Sequence, residues 1–260
     1  MDLHFPGRTA GALAVAALLV AGCGGGSGSS GGSGSGGGTQ PSTGGSSGGS
    51  SPSGSAGGST SATGSTLFPI AVGERWVYAS HVGIGGTSTV VNAIKAVKPV
   101  SGGSLVTMSD TSDIAGVPKT THLTYMFYSD GSIGVPFTQL EGGKVTIKSG
   151  SIVWPSASEI ASGQSHSSVL VISIKTDGHT INERVHVTIK GGGTQSVTVP
   201  AGTYQATVLN QTMAESVFGH RVNTMVRTWL APGIGPVQSE VVGSSGEGLL
   251  VRQELKSFSK

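Results

Sequence analysis

A single thiol, Cys23, and six histidines beyond residue 67 are the first side chains to weigh for chemistry in this 260-residue sequence. The histidines are His81, His122, His166, His179, His186 and His220. A metal site needs two or three of them to converge, and neither an HxH nor an HExxH spacing occurs. His179 and His186 are an odd number of residues apart, which sets them on opposite faces of any strand that carries both. One cysteine excludes an intramolecular disulfide and a four-cysteine zinc site. The carboxylates Asp110, Asp113, Asp130, Glu141, Glu159, Asp177, Glu183, Glu215, Glu240, Glu247 and Glu254 are dispersed, mostly near turns. Asp110 and Asp113 lie close together in DTSD, yet Ile-Ala-Gly follows and the ligand series of a calcium loop is missing. No serine stands on a strand–turn–helix elbow. Gly32-Ser33-Gly34-Ser35-Gly36-Gly37 fits GxGxxG and Gly45-Ser46-Ser47-Gly48-Gly49 fits GxSxG, but a Gly/Ser repeat matches both without the flanking strand and helix they require. No metal, cofactor or catalytic constellation follows from these residues. Two carboxylates gathered from separate strands, as in an extracytoplasmic hydrolase, stay open as the alternative.

The thiol is better placed. Met1–Arg8 is a short segment whose positive charge comes from the amino group and Arg8, offset by Asp2. Thr9–Gly22 is apolar or small throughout. Roughly 14 residues at 1.5 Å each reach about 21 Å, short of the ~30 Å hydrocarbon core, so the segment reads as an export signal rather than a permanent span. Val20-Ala21-Gly22-Cys23 closes it and resembles the lipobox of bacterial lipoproteins: an aliphatic residue, two small residues, then cysteine. That resemblance implies cleavage between Gly22 and Cys23, a diacylglyceryl group on the Cys23 sulfur, and Cys23 as the new N-terminus. It implies a membrane anchor on the extracytoplasmic face of a bacterial membrane, plasma or outer.

From Gly24 to Thr66 the chain is almost all Gly, Ser and Thr, and Leu, Ile, Val, Phe, Trp and Tyr are absent. Such a stretch buries too little apolar area to offset the entropy of ordering it, so residues 23–66 read as a disordered tether beginning at the lipidated cysteine. About 43 residues of Gly/Ser coil have an r.m.s. span on the order of 35–40 Å. The formal net charge is +2 and charged residues are 11% of the chain, with no basic run or stripe, which argues against a nucleic-acid partner.

Residues 67–260, about 190 in number, suffice for one hydrophobic core. They read as all-β: short apolar or alternating runs are punctuated by Gly-rich turns at the spacing of an antiparallel meander. Ser168–Thr176 and Thr180–Lys190 form the clearest hairpin, joined through Asp177-Gly178. In its second arm Val185, Val187 and Ile189 share a face with Glu183, while Arg184, His186, Thr188 and Lys190 face water. Val169-Leu170-Val171-Ile172 is apolar on both faces, as a covered strand would be. Further strands are expected over 74–80, 88–97, 105–109, 121–128, 144–147, 196–199, 203–214, 221–230, 236–242 and 249–258. Ser156–Ser162 is the one helical signal, with Ser156 or Ser158 as cap. About ten to twelve strands are expected to form a curved, half-open barrel or sandwich. Trp76, Trp154 and Trp229 are expected to be core anchors.

Three phrases of this region resemble a family of bacterial exported proteins built on a β-rich domain of unknown function. They are Phe68-Pro69-Ile70-Ala71-Val72-Gly73-Glu74-Arg75-Trp76-Val77-Tyr78, Val197-Thr198-Val199-Pro200-Ala201-Gly202-Thr203-Tyr204, and Trp229-Leu230-Ala231-Pro232-Gly233-Ile234-Gly235-Pro236-Val237. The family versions run FPL-x-VG-x-x-W-x-Y, VPAGTF and W-x-A-PGVG-x-V. The resemblance implies an antiparallel, half-open β-fold and no reaction. Together these readings point to a non-catalytic, lipid-anchored envelope module that binds an apolar ligand, a partner protein or wall polymer.

Overall fold

The computed structural model describes residues 67–82, 86–114, 117–135, 145–176, 179–217, 220–243 and 248–260. The lipobox, Cys23, the tether and the Asp177-Gly178 turn lie outside the described residues. Within them the chain forms β1 (Arg75–Val82), β2 (Thr87–Val100), β3 (Gly103–Ile114), β4 (Val117–Tyr128), β5 (Ile133–Val135), β6 (Val145–Ser149), β7 (Ile152–Trp154), α1 (Ala157–Ala161), β8 (Ser165–Thr176), β9 (His179–Val199), β10 (Gly202–Val217), β11 (His220–Ala231), β12 (Gly235–Val242) and β13 (Leu249–Ser259). The expected all-β fold is what forms.

All the strands join one antiparallel sheet in the order β6-β8-β9-β10-β11-β12-β13-β1-β2-β3-β4-β5-β7. It is one open sheet and not two facing ones, so the half-open barrel of the two expected shapes is the one realised. The first and last strands meet in its middle, with Trp76 opposite Phe258 and Tyr78 opposite Leu255.

Chain connectivity forces the sheet to curl. From β7 at one edge the chain reaches β8, eleven strand steps away, through residues 155–164 alone. Flat strands spaced ~4.8 Å apart would put those ends about 53 Å apart, whereas ten residues that include a helical turn span at most about 35 Å. Side chains report the same curvature. The Phe68 ring lies 5.4 Å from that of Trp76 and 5.5 Å from that of Phe127 on β4. The same ring would sit 3.1 Å from a Cβ added to Gly235 on β12. The Ala201 N–H, at the β9–β10 turn, donates to the Leu255 carbonyl on β13 at 2.9 Å. Residues 67–70 thus lie inside the curl, where Leu67, Phe68 and Ile70 are buried.

The tryptophans anchor this interior as expected: Trp76, Trp154 and Trp229 are 0%, 7% and 6% exposed. α1 matches its expected position. Ser156 is its N-cap, accepting from the Glu159 N–H, while the Glu159 carboxylate accepts from the Ser156 N–H at 2.8 Å. That reciprocal pair is the capping box, and it selects Ser156 over Ser158.

Three elements differ from the sequence reading. β5 and β7 are three-residue strands, too short to show a period. And β9 runs unbroken through Gly191-Gly192-Gly193, where glycines read as a break between two strands. A Cβ on Gly191 would strike the Ile160 carbonyl oxygen of α1, and one on Gly192 would strike the Asn210 amide. Gly191 and Gly192 let a helix and a neighbouring strand approach the backbone closely, while Gly193, at φ +80°, lies in the register shift against β10 without ending the strand.

Candidate ligand site on the concave face

Alternation on each strand decides what faces the inside of the curl. Tyr78 on β1, Val90 on β2, Val106 and Met108 on β3, and Leu123 and Tyr125 on β4 build one apolar wall. Leu170 on β8, Val187 and Ile189 on β9, Met213 on β10, Val226 on β11 and Val241 on β12 build the other. Buried polar residues interrupt both walls in phase with the apolar ones: Ser80, Asn92, Asp110, Glu183, Gln211, Thr228, Ser239 and Gln253. Five of these keep polar atoms without a hydrogen-bond partner among the described residues. The atoms are Asn92 Oδ1, Asp110 Oδ2, Glu183 Oε2, Gln211 Nε2, and both Nε2 and Oε1 of Gln253. Buried polar groups are nearly always satisfied, so these unpartnered atoms set the concave face apart from an ordinary apolar core.

Asn92 and Asp110 stand directly opposite each other on β2 and β3. Burial pushes the Asp110 carboxyl up to about 7, and it raises that of Glu183 too. For Asp110 the folded chain holds its proton more tightly than the unfolded chain, whose carboxyl titrates near 3.8. Stability is therefore retained below about pH 4 and falls as pH rises toward about 7, the opposite slope to that of a salt-bridged aspartate. Asp110→Asn is expected to flatten this fall, which amounts to as much as about 4 kcal/mol. Urea midpoints of both proteins at about pH 4, 5.5 and 7.5 measure it. A variant that keeps the wild-type slope would show that Asp110 does not titrate in this range.

Most of the remaining acids and histidines are spread over the convex face and the turns. His166 is opposite Ile189 on the concave side. Glu74 is buried just before β1, where it accepts from the Ala71 N–H at 2.9 Å and burial raises its carboxyl. Asp130 accepts from the Ser132 N–H at 2.8 Å and from its hydroxyl at 2.6 Å, and these bonds hold its carboxyl below the usual range. The capping bonds from Ser156 do the same for Glu159. Glu240 accepts from Arg252 Nε at 2.9 Å and Nη2 at 2.6 Å. His166 Nε2 lies 3.6 Å from Glu159, while His122 and His186 are exposed. The side chains of His179, His220 and Glu215, and residues Glu141, Asp177 and Glu247, lie outside the described ones. Among the described residues no three His, Cys, Asp or Glu side chains are grouped to hold a metal.

One hydroxyl–imidazole–carboxylate series does occur. Thr87 Oγ1 is 3.0 Å from His81 Nδ1, and His81 Nε2 is 3.5 Å from Glu254. It arises from register, since Thr87 and His81 are cross-strand partners at the end where β1 leads into β2. The His81 side chain is 46% exposed, so the group stands on open strand surface rather than in a cleft that would exclude water.

Sequence reasoning missed Asn92, Gln211 and Gln253. The signal was present: Gln253 falls in phase between Val251 and Leu255, and Gln211 in phase with Met213. A polar residue at an inward position of an otherwise apolar period marks a lumen-facing group.

Comparison with known proteins fits this architecture. A family model described as DUF3108-like matches residues 86–249. A solved Bacteroides fragilis structure, described as that of a candidate exported protein with a YmcC-like fold, shares 18% identity at a TM-score of 0.53. The match covers 75% of this chain and 100% of that one. A candidate lipoprotein of Parabacteroides distasonis shares 17% identity at a TM-score of 0.54, covering 75% of this chain and 99% of the other. At such identities the likeness is one of fold. No curated protein matches the sequence.

Proposed function

The chain belongs to the DUF3108-like family, and from that premise we propose that it is a lipid-anchored module of the bacterial envelope which binds an apolar ligand on its concave face. Residues 1–22 direct export, Cys23 carries the lipid, residues 24–66 let the domain stand off from the membrane, and the curled sheet receives the ligand. The extracytoplasmic placement rests on the lipobox-like Val20-Ala21-Gly22-Cys23. The two relatives in fold are described as an exported protein and a lipoprotein, which supports the same address.

The observation that carries the binding role is the concave wall itself: apolar across both halves of the sheet, yet holding unpartnered polar atoms on five residues. Small-molecule sites share that composition, a mostly apolar surface with a few convergent polar groups. Binding is favoured over hydrolysis because the one hydroxyl–imidazole–carboxylate series described lies on exposed convex surface. The test uses the mature chain made without its leader and with Cys23→Ala, purified without detergent. Native mass spectrometry is expected to show a bound apolar molecule, and the emptied protein is expected to take up N-phenyl-1-naphthylamine with a rise in fluorescence. A protein that carries nothing and leaves the dye in water would end the binding role.

A further inference from the structure

Cross-strand register lines the polar residues of the concave face into a row. Thr228 on β11 is opposite Ser239 on β12, Ser239 is opposite Gln253 on β13, and Gln253 is opposite Ser80 on β1. Directly paired residues of antiparallel strands project to the same side. Four polar side chains therefore run unbroken across four adjacent strands in the middle of the sheet. All are buried, at 4%, 3%, 1% and 3% exposed respectively. Apolar residues follow in the next rows, Val226, Val241 and Val251 on one side and Tyr78 and Leu255 on the other. Gln211 on β10 lies opposite Val226, hence diagonal to Thr228 and within reach of a long side chain.

The row has hydrogen-bonding capacity and no formal charge. Gln253 offers two N–H donors and a carbonyl acceptor, and both its polar atoms are without partners; Gln211 adds the donors of an unpartnered Nε2. No Lys, Arg or His is buried among the described residues. Lys119 shares the concave side but belongs to β4, three strands from Ser80, and is half-buried. His166 is turned toward Glu159. The carboxyls buried among the described residues are those of Glu74, Asp110 and Glu183, which offer no positive charge to an anion.

We propose that Ser80, Gln253, Ser239 and Thr228, with Gln211 beside them, form the head-group subsite for an amphiphile whose polar part is uncharged: an ester, amide or hydroxyl at the end of an apolar tail. This rests on the apolar-ligand reading above and adds the chemical class of the ligand. The carbonyl of an ester or amide accepts from the two glutamine amides, and a hydroxyl donates to Gln253 Oε1. The tail lies along the apolar rows on either side. An anionic head finds no buried cation there.

Three amphiphiles with the same tail test it: monolaurin, dodecanoate and dodecylamine, each titrated below its micelle concentration into the mature Cys23→Ala chain, with tryptophan fluorescence as readout. Monolaurin is expected to bind roughly tenfold more tightly than either charged analogue, a difference equal to about 1.4 kcal/mol. Gln253→Leu is expected to bring all three within about twofold of one another, since a leucine satisfies no head group. Should that variant fail to fold, Gln253→Glu keeps the shape and is expected to weaken monolaurin and favour dodecylamine. Equal binding of the three by the unsubstituted chain, or a preference untouched by either variant, overturns the subsite and leaves apolar binding standing. Preference for dodecanoate overturns it as well, and preference for dodecylamine moves the head group to Asp110 or Glu183. If none of the three binds, the subsite and the binding role fall together.

Discussion

With neither the leader nor a lipid on Cys23, the protein is expected to lose its hold on the membrane altogether. The lipid on Cys23 would bring two acyl chains, each of whose buried methylenes contributes about 0.8 kcal/mol, so the pair anchors stably where a single chain holds only marginally. No helix of the described residues is long and apolar enough to cross a bilayer. Two forms separate the anchor from the leader. Cys23→Ser in the full chain is expected to accumulate as an unprocessed precursor, because the thioether cannot form and residues 1–22 stay attached. Residues 24–260 exported behind the conventionally cleaved signal of a soluble protein are expected to appear entirely in the aqueous fraction. Mass spectrometry of the native N-terminus supplies the positive counterpart, a peptide beginning at acylated Cys23. An unmodified N-terminus elsewhere, or residues 24–260 that still sediment with membranes, would overturn the anchor.

What could be read from the chain alone divides by how local the physics is. The Cys23 motif is four contiguous residues, and its chemistry needs no fold. The all-β class came from period-two alternation such as Glu183–Lys190, which a strand imposes on its own sequence, and the Ser156–Glu159 capping box is equally local. Misreadings arose where a residue answers to a distant neighbour. Gly191 and Gly192 looked like a turn because the atoms that forbid a side chain there belong to Ile160 and Asn210, on other elements. The concave polar row is less local still. Ser80 and Gln253 come from opposite ends of the domain and are neighbours only because β1 pairs with β13. Each alone is an unremarkable polar residue in a strand; register makes them a site.

That same closure of the first strand onto the last makes Trp76 the residue whose loss should cost the fold most. Its ring is fully buried, 5.4 Å from Phe68 and 5.3 Å from Phe258. Its Nε1 donates to the Ile234 carbonyl at 2.6 Å, tying β1 to the Pro232-Gly233-Ile234-Gly235 bend before β12. One side chain thus links the opening phrase of the domain to the bend that follows Trp229. Trp76→Ala removes the ring contacts and leaves the Ile234 carbonyl in search of a partner, and is expected to cost about 5 kcal/mol, the upper end for a buried aromatic truncation. Whole domains are stable by about 5–15 kcal/mol, so most of the folded margin goes. Trp76→Phe keeps an aromatic ring and loses the hydrogen bond, and is expected to cost about 2 kcal/mol. Urea unfolding of the mature chain measures both, the alanine variant melting far below the phenylalanine one at an unchanged slope. If Trp76→Ala instead kept the wild-type midpoint while dye uptake fell, Trp76 would be a platform for the ligand and not an anchor of the sheet. The hydrogen bond to Ile234 and the absence of any exposed ring surface argue for the anchor.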